Sequence, residues 1–324
     1  MEILKADEKC IEVQKLGFAA TRPGVKVNDF APRNNPAVNK REDGVLYRND
    51  VCYSDKYPNS HVDIWYENED KMVKRPTIIY IHGGGFILGD KVAGDPLAVS
   101  TGRDVGFCAE VAKRGCNVIG VNYALAPEFR FPVQIEQVDL MLDYLTRHQE
   151  DLGLDMDRVF LGGGSAGAIL SEIYGAVLCN PAYAKQLGIY PSIRREQIKG
   201  LLLDEAALNK SHFEENMNAM LGCWMGVDNL SEREEADILN AARWIEESYI
   251  PSFINASNQE PFFKDSADEL AAVLEKIGTD YEYFYRGQDA GILEHGYMQQ
   301  FKSNGIAKEC FEHMMAFIER QLGK

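Results

Sequence analysis

Short apolar runs alternate with helical patterns along most of this chain, and this alternation constrains the fold more than any other feature. Runs with the length of a buried strand lie at residues 77–81, 118–121, 159–161, 201–203, 253–254 and 281–285. Amphipathic stripes lie between them, and one stripe contains Leu270, Leu274 and Ile277 and stops at Gly278. Such alternation predicts an α/β fold with a mostly parallel central sheet flanked by helices.

Two segments interrupt this alternation. Residues 1–45 have a helix-like start and then a loop-rich stretch, and residues 205–249 have helix-like patterns without a clear strand. We therefore predict one core formed by residues 46–204 and 250–324. The insertion at 205–249 and the N-terminal arm would together form a helical cap over one end of the sheet.

The composition limits the classes of partner. The formal net charge is -16, which repels phosphate backbones and anionic lipid, so we expect neither nucleic acid nor membrane binding. Seven scattered cysteines without a C-x-x-C pair predict neither a disulfide framework nor a zinc site. The N-terminal residues lack the apolar core of a signal peptide, so we expect a cytoplasmic protein. Homo-oligomerisation stays open.

A serine between glycines occupies the strongest local motif. Gly163-Gly164-Ser165-Ala166-Gly167 matches G-x-S-x-G, follows a predicted strand and precedes a helix-compatible run. At a sharp strand-to-helix turn, side chains two positions before and after the serine would collide, which explains both outer glycines. A phosphate loop or a plain tight turn are alternatives, but no P-loop lysine follows the motif. We predict Ser165 as a nucleophile.

Two further motifs fit such a serine. Residues 82–86 read His-Gly-Gly-Gly-Phe directly after a predicted buried strand, and a glycine run leaves backbone N–H groups free to bind an oxyanion. A merely flexible loop is the alternative. Among six histidines, only His295 lies between the last predicted strand and the last predicted helix. His313 lies within that helix and is expected to be a surface or packing residue.

These motifs resemble those of the hormone-sensitive-lipase-like family of bacterial carboxylesterases, which have the α/β-hydrolase fold. The resemblance runs from about residue 62 to the C-terminus. Its four blocks are residues 82–86 followed by Gly-Asp, residues 122–128 (Asn-Tyr-Ala-Leu-Ala-Pro-Glu), the serine motif and residues 295–297 (His-Gly-Tyr). The family's acid block, D-P-L-x-D, matches Glu260-Pro261 and the following residues with one position shifted. Gly164 departs from the acidic residue that the family usually places before the serine.

The resemblance implies a serine carboxylesterase for short-chain acyl esters, with antiparallel first strands and no metal or organic cofactor. Ser165 would attack the ester carbonyl, His295 would carry the proton, and Glu260 would orient the imidazole. Backbone N–H groups of Gly84, Gly85 and Ala166 would form the oxyanion hole. The expected partner is a small-molecule ester.

Several alternatives remain open at this level. An amidase or peptidase could use the same triad, and the same fold could serve as a non-catalytic ligand-binding protein, although His295 argues against that. In the cap, Trp224 and Met220 could form an apolar wall for the substrate or could simply pack the cap against the core. Asp265 is expected to cap the helix that carries Leu270.

Overall fold

The computed structural model describes residues 4–21, 26–28, 38–40, 44–67, 74–91 and 106–323. Its strands are Val38–Lys40 (β1), Leu46–Cys52 (β2), His61–Tyr66 (β3), Pro76–Ile81 (β4), Asn117–Val121 (β5), Asp155–Gly164 (β6), Ile198–Asp204 (β7), Ser252–Asn255 (β8) and Tyr281–Phe284 (β9). Within these residues they form one nine-stranded sheet, ordered β1-β2-β3-β5-β4-β6-β7-β8-β9. The pairs β1–β2, β2–β3 and β3–β5 are antiparallel. The pairs β5–β4, β4–β6, β6–β7, β7–β8 and β8–β9 are parallel. The predicted α/β class and mostly parallel sheet are confirmed.

Helices cover both faces of the sheet. They are Lys5–Thr21 (α1), Phe107–Ala112 (α2), Val133–Arg147 (α3), Gln149–Leu152 (α4), Ala166–Cys179 (α5), Pro181–Leu187 (α6), Glu215–Met225 (α7), Pro261–Ile277 (α8) and Gly305–Gln321 (α9). One apolar core contains residues of α3, α5 and α8, and a second core on the other face contains residues of α2 and α9. No helix in the described part of the chain is both long and apolar enough to cross a bilayer.

The predicted helix around Leu270 exists, but it begins earlier than expected. It starts at Pro261 with Glu260 as the N-cap residue and ends at Gly278, whose left-handed backbone caps the helix. The prediction that Asp265 caps this helix is therefore wrong. Asp265 lies inside the helix and pairs with His212 Nδ1 at 3.1 Å.

The segment between β7 and β8 folds into α7 and short 3-10 turns, with no strand among its residues. Helix α1 packs against α7. Ala6 N–H donates to the Asp228 carboxylate at 2.9 Å, and Arg130 bridges Asp7 and the Cys223 carbonyl at 2.7 and 2.6 Å. The arm and the insertion thus lie together, although the predicted domain boundaries remain a proposal.

The N-terminal helix also contacts the loop that follows β4. The buried Gln14 amide donates to the carbonyls of Ile87 at 2.8 Å and Ala126 at 2.7 Å. These two carbonyls belong to the segments after β4 and after β5, at the carboxyl edge of the sheet. One side chain of α1 therefore connects both segments at the edge where parallel α/β sheets place their ligands.

Candidate active site

Ser165 stands at the sharp turn between β6 and α5. Its backbone has φ 53° and ψ −114°, a strained conformation for a residue other than glycine, and its N–H donates to the Asp204 carbonyl at 2.7 Å. A Cβ at Gly163 would lie 2.1 Å from the Ile81 carbonyl oxygen, and a Cβ at Gly167 would lie 1.9 Å from it. Both glycines are required because the end of β4 passes directly beside the turn.

The glycine run after β4 forms a tight loop beside Ser165. Gly84 has φ 102° and Gly85 has φ 60°, and a Cβ at Gly84 would lie 2.4 Å from the Leu88 carbonyl oxygen. Among the hydrogen bonds of the described residues, none uses the N–H groups of Gly84, Gly85 or Ala166. These three groups are thus free of protein acceptors, as an oxyanion hole requires.

His82 packs against the glycine loop and against Tyr123. Its ring stacks on Tyr123 with centroids 4.3 Å apart, and the Tyr123 hydroxyl donates to the His82 carbonyl at 3.0 Å. A Cβ at Gly89 would lie 2.2 Å from His82 Nδ1. The sequence blocks around residues 82–90 and 122–128 therefore contact each other and fix the path of the glycine loop.

The serine, the histidine and part of the glycine loop line one cavity of about 100 Å³. Its lining residues are Gly83, Gly84, Gly164, Ser165, Asp204, Glu205, His295, Gly296 and Gln299. The structure brings Ser165 and His295 together, although 130 positions separate them in the sequence (295 − 165). Glu260 is absent from this lining.

Glu205 is the carboxylate in contact with His295. Its Oε2 contacts His295 Nδ1 and accepts the Gly296 N–H at 2.8 Å. Glu205 directly follows β7, has φ 64°, and donates its own N–H to the Asn255 carbonyl at 3.1 Å. The ring of Phe263 stacks on one face of the His295 imidazole, with the ring centroids 4.4 Å apart.

The prediction that Glu260 contacts His295 disagrees with this geometry. The Glu260 carboxylate accepts a hydrogen bond from Ser257 Oγ at 3.0 Å and lies at the start of α8. Glu205 reaches the ring because it follows the strand adjacent to that of the nucleophile. The pattern Asp204-Glu205 after a buried strand was the available signal, since parallel strands bring their carboxyl ends to one edge.

Charges around the cavity change two pKa values. Burial by itself lowers the pKa of His295, but the charge of Glu205 and a hydrogen bond with it raise that pKa above its ordinary value. The charges of Asp204 and Glu260 add to the increase. Burial, together with the charge of Glu205, raises the pKa of the Asp204 carboxyl to about 7.

The two predicted cap residues occupy different places. Trp224 is fully buried, stacks on Phe86 with centroids 3.6 Å apart, and donates from Nε1 to Gln134 Oε1 at 2.7 Å. It packs α7 onto the glycine loop, so the structure supports the packing alternative, and the predicted contact of Trp224 with substrate stays a prediction. Met220 Sδ lies 2.7 Å from the position of a Cβ on Gly85 and therefore covers the glycine loop.

Comparisons with known proteins agree with this architecture. A family model described as the alpha/beta hydrolase fold matches residues 78–292. The acetyl esterases of Salmonella paratyphi B and Salmonella agona are each 35% identical over 95 residues, which is 29% of this chain. The chain thus matches only 27% of the length of these relatives.

Two solved structures share the fold over nearly the whole chain. Esterase B from Lactobacillus rhamnosis has a TM-score of 0.72 and 20% identity, with 97% of this chain and 96% of that chain covered. A bacterial heroin esterase has a TM-score of 0.64 and 20% identity, with 98% and 92% covered. The family match, the sheet order and the strained serine turn together show that this chain belongs to the α/β-hydrolase fold family, as a hormone-sensitive-lipase-like member.

Proposed function

We propose that this protein is a serine carboxylesterase that hydrolyses short-chain acyl esters. The observation that carries the proposal is the single cavity shared by Ser165, the His295–Glu205 pair and the glycine loop. The acetyl esterases that match part of the chain support the same chemistry. A cavity of about 100 Å³ suits a short acyl or alcohol group better than a long chain.

The reaction begins when Ser165 Oγ attacks the carbonyl carbon of the ester. His295 Nε2 accepts the serine proton as the C–O bond forms, and the carbonyl oxygen becomes a tetrahedral oxyanion. The N–H groups of Gly84, Gly85 and Ala166 donate hydrogen bonds to that oxygen. His295 then returns the proton to the leaving alcohol as the original ester bond breaks.

The second half of the reaction releases the acid. Water attacks the acyl group on Ser165, and His295 removes a proton from the water and gives it to Ser165 Oγ. Glu205 holds the imidazole with Nδ1 protonated and stabilises the imidazolium that forms twice in each cycle. We assign this role to Glu205 instead of Glu260. The chemistry uses side chains and backbone N–H groups of this chain.

Removal of the nucleophile is the first test. Ser165→Ala should lower kcat for an aryl acetate by about 10⁴- to 10⁶-fold and leave the fold intact by circular dichroism. An organophosphate should label the wild type at Ser165, as read by peptide mass spectrometry. The exposed Ser303→Ala serves as the matched control and should keep wild-type activity.

Two results would overturn the proposal. One is activity retained in Ser165→Ala, and the other is organophosphate labelling at a different serine. The amidase alternative is tested in the same experiment with the matching anilide. Faster turnover of the anilide than of the aryl acetate would replace the esterase assignment and would keep Ser165 as nucleophile.

A further inference from the structure

Gly164 lies next to the nucleophile, and three polar side chains approach its backbone closely. A Cβ at this position would lie 2.9 Å from the Tyr80 hydroxyl and 3.5 Å from both Asp204 Oδ2 and Gln299 Nε2. Gly164, Asp204 and Gln299 all line the catalytic cavity. A Cβ at 164 would be too close to the Tyr80 hydroxyl, so glycine keeps this wall of the cavity beside Ser165 free of a side chain.

This end of the cavity has hydrogen-bond acceptors without donors. Asp204 Oδ2 and Glu205 Oε1 are buried, and neither has a hydrogen-bond partner among the described residues. Asp204 Oδ1 already accepts from Asn255 Nδ2 at 2.8 Å, and Gln299 Nε2 already donates to the Tyr80 hydroxyl at 2.6 Å. Buried acceptors without partners are rare and costly, so a donor from outside the protein is expected here.

The subsite lies on the histidine side of the cavity. The Glu205 carboxylate contacts the His295 ring and accepts the Gly296 N–H. The free acceptors are therefore close to His295, the group that must protonate the leaving oxygen. A donor that reaches them must be carried near that oxygen, on the alcohol part of the ester. Two adjacent carboxyl groups repel a substrate carboxylate, and burial of an ammonium ion costs more than burial of a hydroxyl.

We propose that the acceptor subsite, formed by Gly164, Asp204, Glu205 and Gln299, binds a hydroxyl group next to the ester bond. The preferred substrates are then short acyl esters of polyols, such as partly acylated sugars or glycerol, and not esters of simple alkanols. The whole catalytic cavity has a volume of about 100 Å³ and must also hold the reacting ester group, so the subsite suits a small hydroxyl-bearing group. This inference rests on the esterase function proposed above and narrows its substrate class.

The test compares two esters of equal size. 2-Hydroxyethyl acetate and propyl acetate have the same number of heavy atoms and differ only in the terminal hydroxyl or methyl group. The wild type should show a kcat/KM about tenfold higher for the hydroxylated ester, a ratio typical of one well-placed hydrogen bond. 2-(Dimethylammonio)ethyl acetate and the acetate ester of glycolate test a cation and a carboxylate at the same position.

Gly164→Ala should displace the polar groups of the subsite, because its Cβ would lie 2.9 Å from the Tyr80 hydroxyl, and should bring the ratio of the two kcat/KM values close to one. Asp204→Asn keeps the shape of the side chain but replaces one acceptor by a donor, so it should also lower the ratio. Gly305→Ala is the matched control, because a Cβ there contacts nothing within 4 Å at the start of α9. It should keep the wild-type ratio.

The outcomes separate the subsite from the function on which it rests. Failure of the wild type to hydrolyse any of these acetates or an aryl acetate contradicts the esterase function itself. Hydrolysis with a wild-type ratio near one, or a tenfold ratio that survives Gly164→Ala, overturns the subsite alone. A preference for the ammonium ester over the hydroxylated ester overturns the assignment of a hydroxyl as the occupant.

Discussion

At the scale of single residues, Glu205 is positioned by its backbone as well as by its contacts. Its left-handed φ and its N–H bond to Asn255 direct the carboxylate toward His295 Nδ1 and the Gly296 N–H. Glu205→Gln should therefore lower kcat by about 10³- to 10⁴-fold, because the imidazole tautomer is no longer enforced. Steady-state kinetics on an aryl acetate measures the loss.

Glu260→Gln is the matched control for this prediction, and it should lower kcat less than about tenfold. The pH profile gives a second readout. His295 must be neutral to accept the serine proton, so kcat/KM should rise with pH through its raised pKa. Glu205→Gln removes the charge that raises this pKa and should move the acid limb to lower pH. A large loss in Glu260→Gln with a mild effect in Glu205→Gln would reverse the assignment.

The residues differed in how far the sequence could predict them. The serine turn is a local constraint, since two glycines and a strand-to-helix transition specify it, and the structure has that turn at Ser165. The position of His295 follows from chain order in the fold. The acid depends only on proximity in space, and both Glu205 and Glu260 satisfy the order serine, acid, histidine. Sequence matching favoured Glu260, whereas the sheet places Glu205 against the ring.

At the scale of elements, α1 supports the glycine loop through Gln14. Gln14→Met should leave the Ile87 and Ala126 carbonyls without their donor, at a cost of about 1–3 kcal/mol of unfolding free energy. Because the same loop carries the oxyanion donors, kcat should fall as well. Urea unfolding and steady-state kinetics measure the two effects.

Lys9→Met is the control on the same helix. Its ion pair with Glu215 at 3.4 Å is exposed, so its loss should change stability by less than about 1 kcal/mol. Equal stability and activity of Gln14→Met and the wild type would show that α1 does not support the loop.

The elements of the core were predictable because each has its own periodic pattern. The strands at residues 77–81 and 118–121 lie within β4 and β5, and the stripe that stops at Gly278 is the end of α8. The start of α8 was predicted too late, at Asp265. The helix already begins at Pro261, and the Asp265 carboxylate bonds to His212, a distant residue that the local sequence does not reveal. The sequence also left open whether Trp224 contacts substrate or packs against the core, since it does not show which face of α7 meets Phe86.

At the scale of the whole molecule, one buried carboxyl on α5 links stability to pH. Glu172 is 4% exposed, and burial, with the charge of Glu269, raises its pKa to about 8. The folded state therefore holds a proton that the unfolded chain releases near pH 4.5. This contribution to stability is complete below pH 4.5 and is lost as pH rises through about 8.

Glu172→Gln should accordingly stabilise the protein relative to the wild type at pH 9 more than at pH 6. Calorimetric Tm values of both proteins at the two pH values measure this difference. Exposed Glu247→Gln should give the same Tm difference from the wild type at both pH values. A Tm difference for Glu172→Gln that does not change with pH would mean that Glu172 stays ionised in the folded protein.

The contact between α1 and α7 also has a consequence for protein synthesis. Cys10 and its hydrogen-bond partner, the Ala219 carbonyl, are separated by 209 residues. At 5–20 residues per second, a ribosome needs roughly 10–40 s to make the partner after α1 has emerged. Throughout that interval the face of α1 that packs against α7 lacks its partner. Helix α1 thus completes its packing only after α7 has been made, and nascent chains stalled before α7 should be the ones that chaperones hold.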